Sequence, residues 1–170
     1  MKKILIIVVS ILCCSAGFGQ TKKEIKQYNK SKKYCSVEIE RVGVDGTKFV
    51  KAWGFGKKID DAMEQAKINA VEAVIFDGLE KQNGSAVIPP LCREKNVNML
   101  NSEYFKTFFE DDRYSEFVKS VHSGLPKGAN RREVKGGYKV AMYLQIEFDK
   151  LRSQLEKEGA IKKMSQGFKE

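Results

Sequence analysis

Residues 50–70 read VKAWGFGKKIDDAMEQAKINA, and they set the tightest limit on what the chain can become. An apolar run ends in Gly54-Phe55-Gly56, and a helical pattern begins within three residues. Strand alternation over residues 48–56 places Phe49, Lys51, Trp53 and Phe55 on one face and Val50, Ala52 and Gly54 on the other. Ala62, Ala66, Ala70 and Ala73 then recur at helical spacing, with Met63, Val71, Val74, Ile75 and Leu79 widening the apolar stripe. An alanine ridge and an Ala/Gly strand face both lack the bulk that keeps a helix away from a sheet. The pattern predicts a helix over 59–82, capped by Asp60 or Asp61, ended by Asn83-Gly84 and laid across the small face of the strand.

Strand, glycine turn and helix are also the order of a phosphate-binding loop, but the details exclude one. A dinucleotide loop needs a third small residue three positions past its second glycine, and Ile59 stands there. A P-loop needs its first glycine where Lys51 stands and Ser or Thr where Lys58 stands. The glycines serve a sharp turn and a close approach of helix to strand.

The rest of the chain builds round this unit. Val37 and Ile39 alternate with polar residues in a first strand, and Asp45-Gly46 turns the chain back into residues 48–56. Residues 84–100 are irregular, with Pro89-Pro90 unsuited to helix or central strand. NSEYFKTFFEDDRYSEFV (101–118) reads as a short aromatic helix capped by Asn101 or Ser102. Residues 118–123 form a short strand, and GLPKGANRREVKGG reads as a long basic hairpin loop. YKVAMYLQIEF (138–148) alternates cleanly, and Asp149 caps a helix through about Glu158 that Gly159 stops. The fold class is α+β: a mostly antiparallel sheet of about four strands, in the order β-β-α-(α)-β-β-α, packed on one long alanine-rich helix.

Residues 1–19 have the layout of a secretory signal peptide. Lys2 and Lys3 precede an apolar run from Ile4 to Cys14, and small residues follow up to Gly19. Cleavage after Gly19 removes two charges from the formal +9. A lipid anchor at Cys13 or Cys14 competes with plain cleavage, but Leu12 and Cys13 are not the small residues that should precede a modified cysteine. Residues 20–33 form a basic, aperiodic lead-in, 34–160 a single domain and 161–170 a tail. Cys35 and Cys92 remain after cleavage; they either pair in an oxidising compartment or act as two buried thiols.

Catalytic chemistry finds few residues to work with. The one histidine, His122, precludes a metal site with two or more histidines, and no G-x-S-x-G elbow is present. The acids of Glu110-Asp111-Asp112 point in different directions on a helix. No catalytic residue, metal or cofactor is expected. Two features suit binding instead: the aromatic set Phe49, Trp53 and Phe55, and the basic set Lys127, Arg131, Arg132 and Lys135.

A strand ending in AWGFG, a helix carrying DAMEQAKINAVEAV, and the late VKGGYKVAMYLQIEFDKLRSQLEKEG resemble a family of small exported envelope domains. That family includes small outer-membrane lipoproteins and the N-terminal domain of the flagellar assembly protein FlgT. The resemblance covers about residues 36–160. It implies an α+β domain without catalysis, working in envelope assembly or surface contact, and it carries over no binding residue. The chain departs from the family around Cys13 and Cys14 and in the insert at residues 84–135. The expected function is that of a periplasmic or outer-membrane-associated, non-enzymatic protein, an accessory of a surface or secretion assembly. Its partners would be other envelope proteins or a second copy. The alternatives are a binder of anionic glycan or lipid head groups through the basic tail and loop, and a small enzyme using His122. Nucleic acid is not an expected partner of an exported chain.

Overall fold

The computed structural model describes residues 36–80, 88–92 and 103–163. The signal segment, the basic lead-in, Cys35 and the predicted caps at Asn101 and Ser102 lie outside them. Strands β1 (Val37–Val42) and β2 (Thr47–Gly56) form the expected hairpin. Asp45 and Gly46 both take positive φ at its tip, the combination a type I′ turn requires. A bulge between Ile39 and Arg41 shifts the register, so that Ile39 pairs with Val50 and Arg41 with Phe49.

Helix α1 (Ile59–Glu72) follows and continues as a π-helical turn over Ala73–Asp77. Asp61 is not its N-cap but the third helical residue; its carboxylate accepts from the backbone N–H of Lys58, which holds the cap position. The helix ends at Gly78, at φ +81°, and not at the predicted Asn83-Gly84. The π turn brings the N–H of Gly78 to the Ala73 carbonyl. The N–H groups of Leu91 and Cys92 then take the carbonyls of Val74 and Ile75 that the helix leaves open. Cys92 is buried by this docking.

Further along the chain come α2 (Glu103–Glu110), a 3-10 turn (Arg113–Phe117) and β3 (Val118–Ser120). The predicted single aromatic helix over 101–118 is therefore two pieces, split where Asp112 takes a left-handed φ of 56°. The predicted basic loop also proves to be structured. Residues Arg131–Val134 form β4, which turns through Lys135-Gly136 into the long β5 (Gly137–Glu147). Arg131, Arg132, Glu133 and Val134 offer no apolar face to recognise, so this edge strand is not legible in the sequence. Helix α3 (Phe148–Lys157) follows; its cap position is Glu147, so Asp149 is its second residue and not the predicted cap, and Gly159 comes after it at positive φ.

The sheet is antiparallel and has five strands, one more than expected. β5 is its axis. One edge of β5 pairs with the whole of β2; the other pairs with β4 near its start and with β3 near its end. The inward faces of the strands, with Val50, Ala52, Met142, Leu144 and Ile146, meet α1, α2 and α3 in one hydrophobic core. Ala62, Ala66 and Ala70 have no exposed surface, as the alanine ridge predicts. A Cβ built on Gly54 would come within 3.0 Å of the carbonyl of Ala62 and the backbone of Ala66. The glycines are a close-approach device. The described part of the predicted insert is no appendage, since Phe105, Phe108, Tyr114 and Phe117 fill one end of the core.

The Tyr114 hydroxyl donates to Glu64 on α1, which also pairs with Lys67 at 2.8 Å. Burial pushes against the Glu64 charge, but the Lys67 ammonium and the Tyr114 hydroxyl outweigh it and hold its pKa below the usual glutamate value. A lowered carboxylate pKa contributes stability that is present above the unfolded-state pKa and is lost as pH falls through the folded-state one. The urea midpoint should therefore fall as pH drops below about 4.3, the ordinary glutamate value. In Tyr114→Phe that decline should be shallower. Glu72, held high by burial and Asp77, acts in the opposite sense in both proteins and cancels in the comparison. Parallel midpoint-against-pH curves for the two proteins would remove Glu64 from the account.

Candidate functional site: the outer face of the sheet

α1, α2 and α3 pack against one side of the sheet, and the strands' remaining side chains point to the other. The register sets what stands there. Arg41, Phe49 and Gln145 lie in one cross-strand row, and Glu38, Lys51 and Tyr143 in the next. Trp53 then pairs with Ala141, and Phe55 with Lys139, which in turn pairs with Arg132 of β4. Of the basic set, Arg132 alone thus joins the aromatic face, since Arg131 pairs with the core-facing Val140 and lies on the other side.

Trp53 is the centre of that face. It is half-buried, its backbone N–H donates to the Ser36 carbonyl, and its backbone carbonyl accepts from the Asn69 side chain at 2.9 Å. The main chain at Trp53 is therefore pinned by β1 on one side and α1 on the other while the ring faces outward. Lys51 Nζ stands 5.9 Å from the ring centroid, Arg132 Cζ 5.6 Å and Lys139 Nζ 5.8 Å. Lys51 also lies 5.4 Å from the Tyr143 ring. Each contact is of cation–π range. Lys139 is only 5 % exposed and Ala141 only 2 %.

The neighbouring aromatic is arranged differently. Arg41 Cζ lies 3.9 Å over the Phe49 ring, so that ring is already stacked. A groove of about 230 Å³ runs between Arg41 and Phe49 and the pair Tyr143 and His122. His122 is exposed and meets Tyr143 edge-on at 5.5 Å. Phe55 is 45 % exposed at the far end of β2. Of the basic set, Arg132 reaches Trp53, and Arg131 sits exposed opposite Val140. Lys127 and Lys135 are exposed before and after β4. Cys92 is buried beside the π turn, and its suggested pairing with Cys35 falls outside the described residues.

Lys139, Tyr143 and Arg41 were missed as site residues. Their alternation on the polar side of each strand was readable, but which strand lies beside which was not. Once β5 is known to pair with β2, Lys139 and Tyr143 fall on either side of the Trp53 row. Among the described residues no three His, Cys, Asp or Glu side chains gather as a metal site would need, and no helix is long and apolar enough to cross a membrane. No protein-family model, curated protein or solved structure matches the chain.

Proposed function

We propose that the chain is an exported, non-enzymatic envelope protein that binds an anionic component of that envelope across the outer face of its sheet. The observation that carries this reading is the convergence of Lys51 and the exposed Arg132 on the single tryptophan of the chain. Two cations beside one aromatic ring favour an anion bound between them. The leader-like residues 1–19 support export, and the accessory role in an envelope assembly rests on the resemblance. Because cations surround the ring, an anionic partner surface fits this face better than a purely apolar one does.

Footprinting tests the reading in place. Envelopes isolated from the source cells and the purified chain are treated alike with a lysine-acetylating reagent and with hydroxyl radicals, then compared by mass spectrometry. Lys51 and Trp53 should be several-fold less modified in the envelopes. Lys150, exposed on α3 away from this face, should be modified equally in both. Equal modification of Trp53 in the two samples would sink the proposal.

A further inference from the structure

The groove of about 230 Å³ has Phe49 on one wall and Tyr143 with His122 on the other. Its walls are held in place. Phe49 and Tyr143 stand on β2 and β5, and β2 pairs with β5 over its whole length. The N–H of Val121 donates to the Tyr143 carbonyl at 2.9 Å, and the His122 ring meets the Tyr143 ring edge-on. Val121 also lines the groove and is an apolar side chain left 42 % exposed. Pockets that enclose a whole drug-sized molecule run from about 300 Å³ upward. This groove is smaller and admits one large side chain. Rings on both walls favour another ring between them, in edge or offset contact.

Arg41 borders the groove with its guanidinium flat on Phe49 at 3.9 Å, a stacking that leaves its N–H edge to bind. No ion pair among the described residues engages Arg41, Lys51 or Arg132. These cations follow the rows of the sheet. Arg41 shares the row of Phe49, Lys51 lies in the next row beside Tyr143, and Arg132, from the row of Phe55, reaches back to Trp53. Successive rows on one face are about 6.8 Å apart, the interval at which an extended polypeptide repeats its side chains on one side. Glu40 in the groove lining and Glu38 opposite Lys51 temper the positive charge, so removing Glu40 tests its sign.

We infer that the anionic partner is an extended acidic polypeptide that sets one aromatic side chain into this groove, with carboxylates on either side of it meeting Arg41 and Lys51 and a further one meeting Arg132. This rests on the proposed function and names the chemistry of its partner. The aromatic residue is the anchor, and the carboxylates set its direction along the face. Arg41 and Arg132 suit bidentate carboxylate contacts, and Lys51 acts as a point charge. A uronate polymer or an anionic lipid surface supplies the charge without a side chain to enter the groove.

The test is fluorescence anisotropy of the purified chain at 0.15 M salt with three labelled heptapeptides. One has glutamates round a central phenylalanine, one glutamates round a central alanine, and one lysines round a central phenylalanine. Polygalacturonate, oligo-dT and phosphatidylglycerol vesicles are titrated as competitors. The acidic phenylalanine peptide should bind saturably, its alanine version about tenfold more weakly or worse, and the lysine peptide not at all. Arg41→Gln and Val121→Asp, both at exposed positions and checked for folding by circular dichroism, should each weaken binding about tenfold. Arg132→Gln should weaken it about threefold, as loss of an exposed ion pair does. Glu40→Gln should tighten it, and Lys150→Gln should change nothing. Equal binding of the alanine and phenylalanine peptides, undiminished binding by Val121→Asp, or tighter binding of any competitor than of the acidic phenylalanine peptide would overturn the inference. If the envelope footprint on Lys51 and Trp53 is present but neither acidic peptide binds, the occupant is wrong and the face stands. If the footprint is absent as well, both readings fall.

Discussion

Gly54→Ala should lower the unfolding free energy by about 3 kcal/mol or more, read as a fall in the urea midpoint at unchanged slope. Elsewhere in a strand the same change would be mildly favourable, since glycine costs about 0.5–1 kcal/mol there through its backbone freedom. At Gly54 the new methyl would come within 3.0 Å of the Ala62 carbonyl and the Ala66 backbone. Those atoms belong to a helix main chain and cannot swing aside as a side chain would. The whole of α1 must lift from the sheet, and Ala62, Ala66 and Ala70, which have no exposed surface, must lose contact together. Gly124→Ala separates sterics from conformation. Gly124 has φ +87° but nothing within 4 Å of the added atom, so only the backbone strain of about 1 kcal/mol remains. A change below 1 kcal/mol at Gly54 would mean the helix slides freely, and the close-approach account would be wrong.

Phe108→Ala should cost about 3–5 kcal/mol, the usual range for emptying a large buried aromatic site. Phe108 has no exposed surface. Its ring packs edge-on to Phe105 and Phe109, at 6.5 and 5.2 Å, and lies near-parallel to Tyr104 and Phe117, both at 6.1 Å. The cluster cannot collapse easily round the hole, because its rim is fixed by polar contacts. The Tyr104 hydroxyl donates to Glu158, and Arg113 pairs with the same carboxylate at 2.5 Å. The measurement also tests whether residues 84–135 are an insert in an energetic sense. A loss under 1 kcal/mol would show that α2 and its 3-10 turn are dispensable to a core that stands without them.

The parts of the fold legible in the sequence were those in which local pattern and tertiary role agree. The β1–β2 hairpin carried its turn residues at Asp45 and Gly46, and α1 carried a ridge whose spacing and smallness both spoke for packing. The faces of β2 and β5 followed from alternation alone. What escaped was decided by non-local pairing. β4 has no apolar face of its own and is a strand because β5 lies beside it. The helix end moved to Gly78 because residues 88–92 return to cap its last carbonyls, which no local signal announces. The candidate site failed to assemble for the same reason. Trp53 and Arg132 were each singled out, but nothing within either segment says that they meet.

The position of β5 bears on when this chain can fold. Thr47 pairs with Glu147 across a hundred residues, and three of the other four strands find their partner in β5. Until residues 137–147 have been made, β1 and β2 are a lone hairpin with one apolar side bare, a structure of marginal stability in water. Contacts so distant along the chain are slow to form because loop closure must come first. For a protein proposed to leave its cell compartment through a narrow channel, this lateness is useful. Residues 137–147 must be synthesised before the sheet of this domain can close, so the domain stays threadable until then.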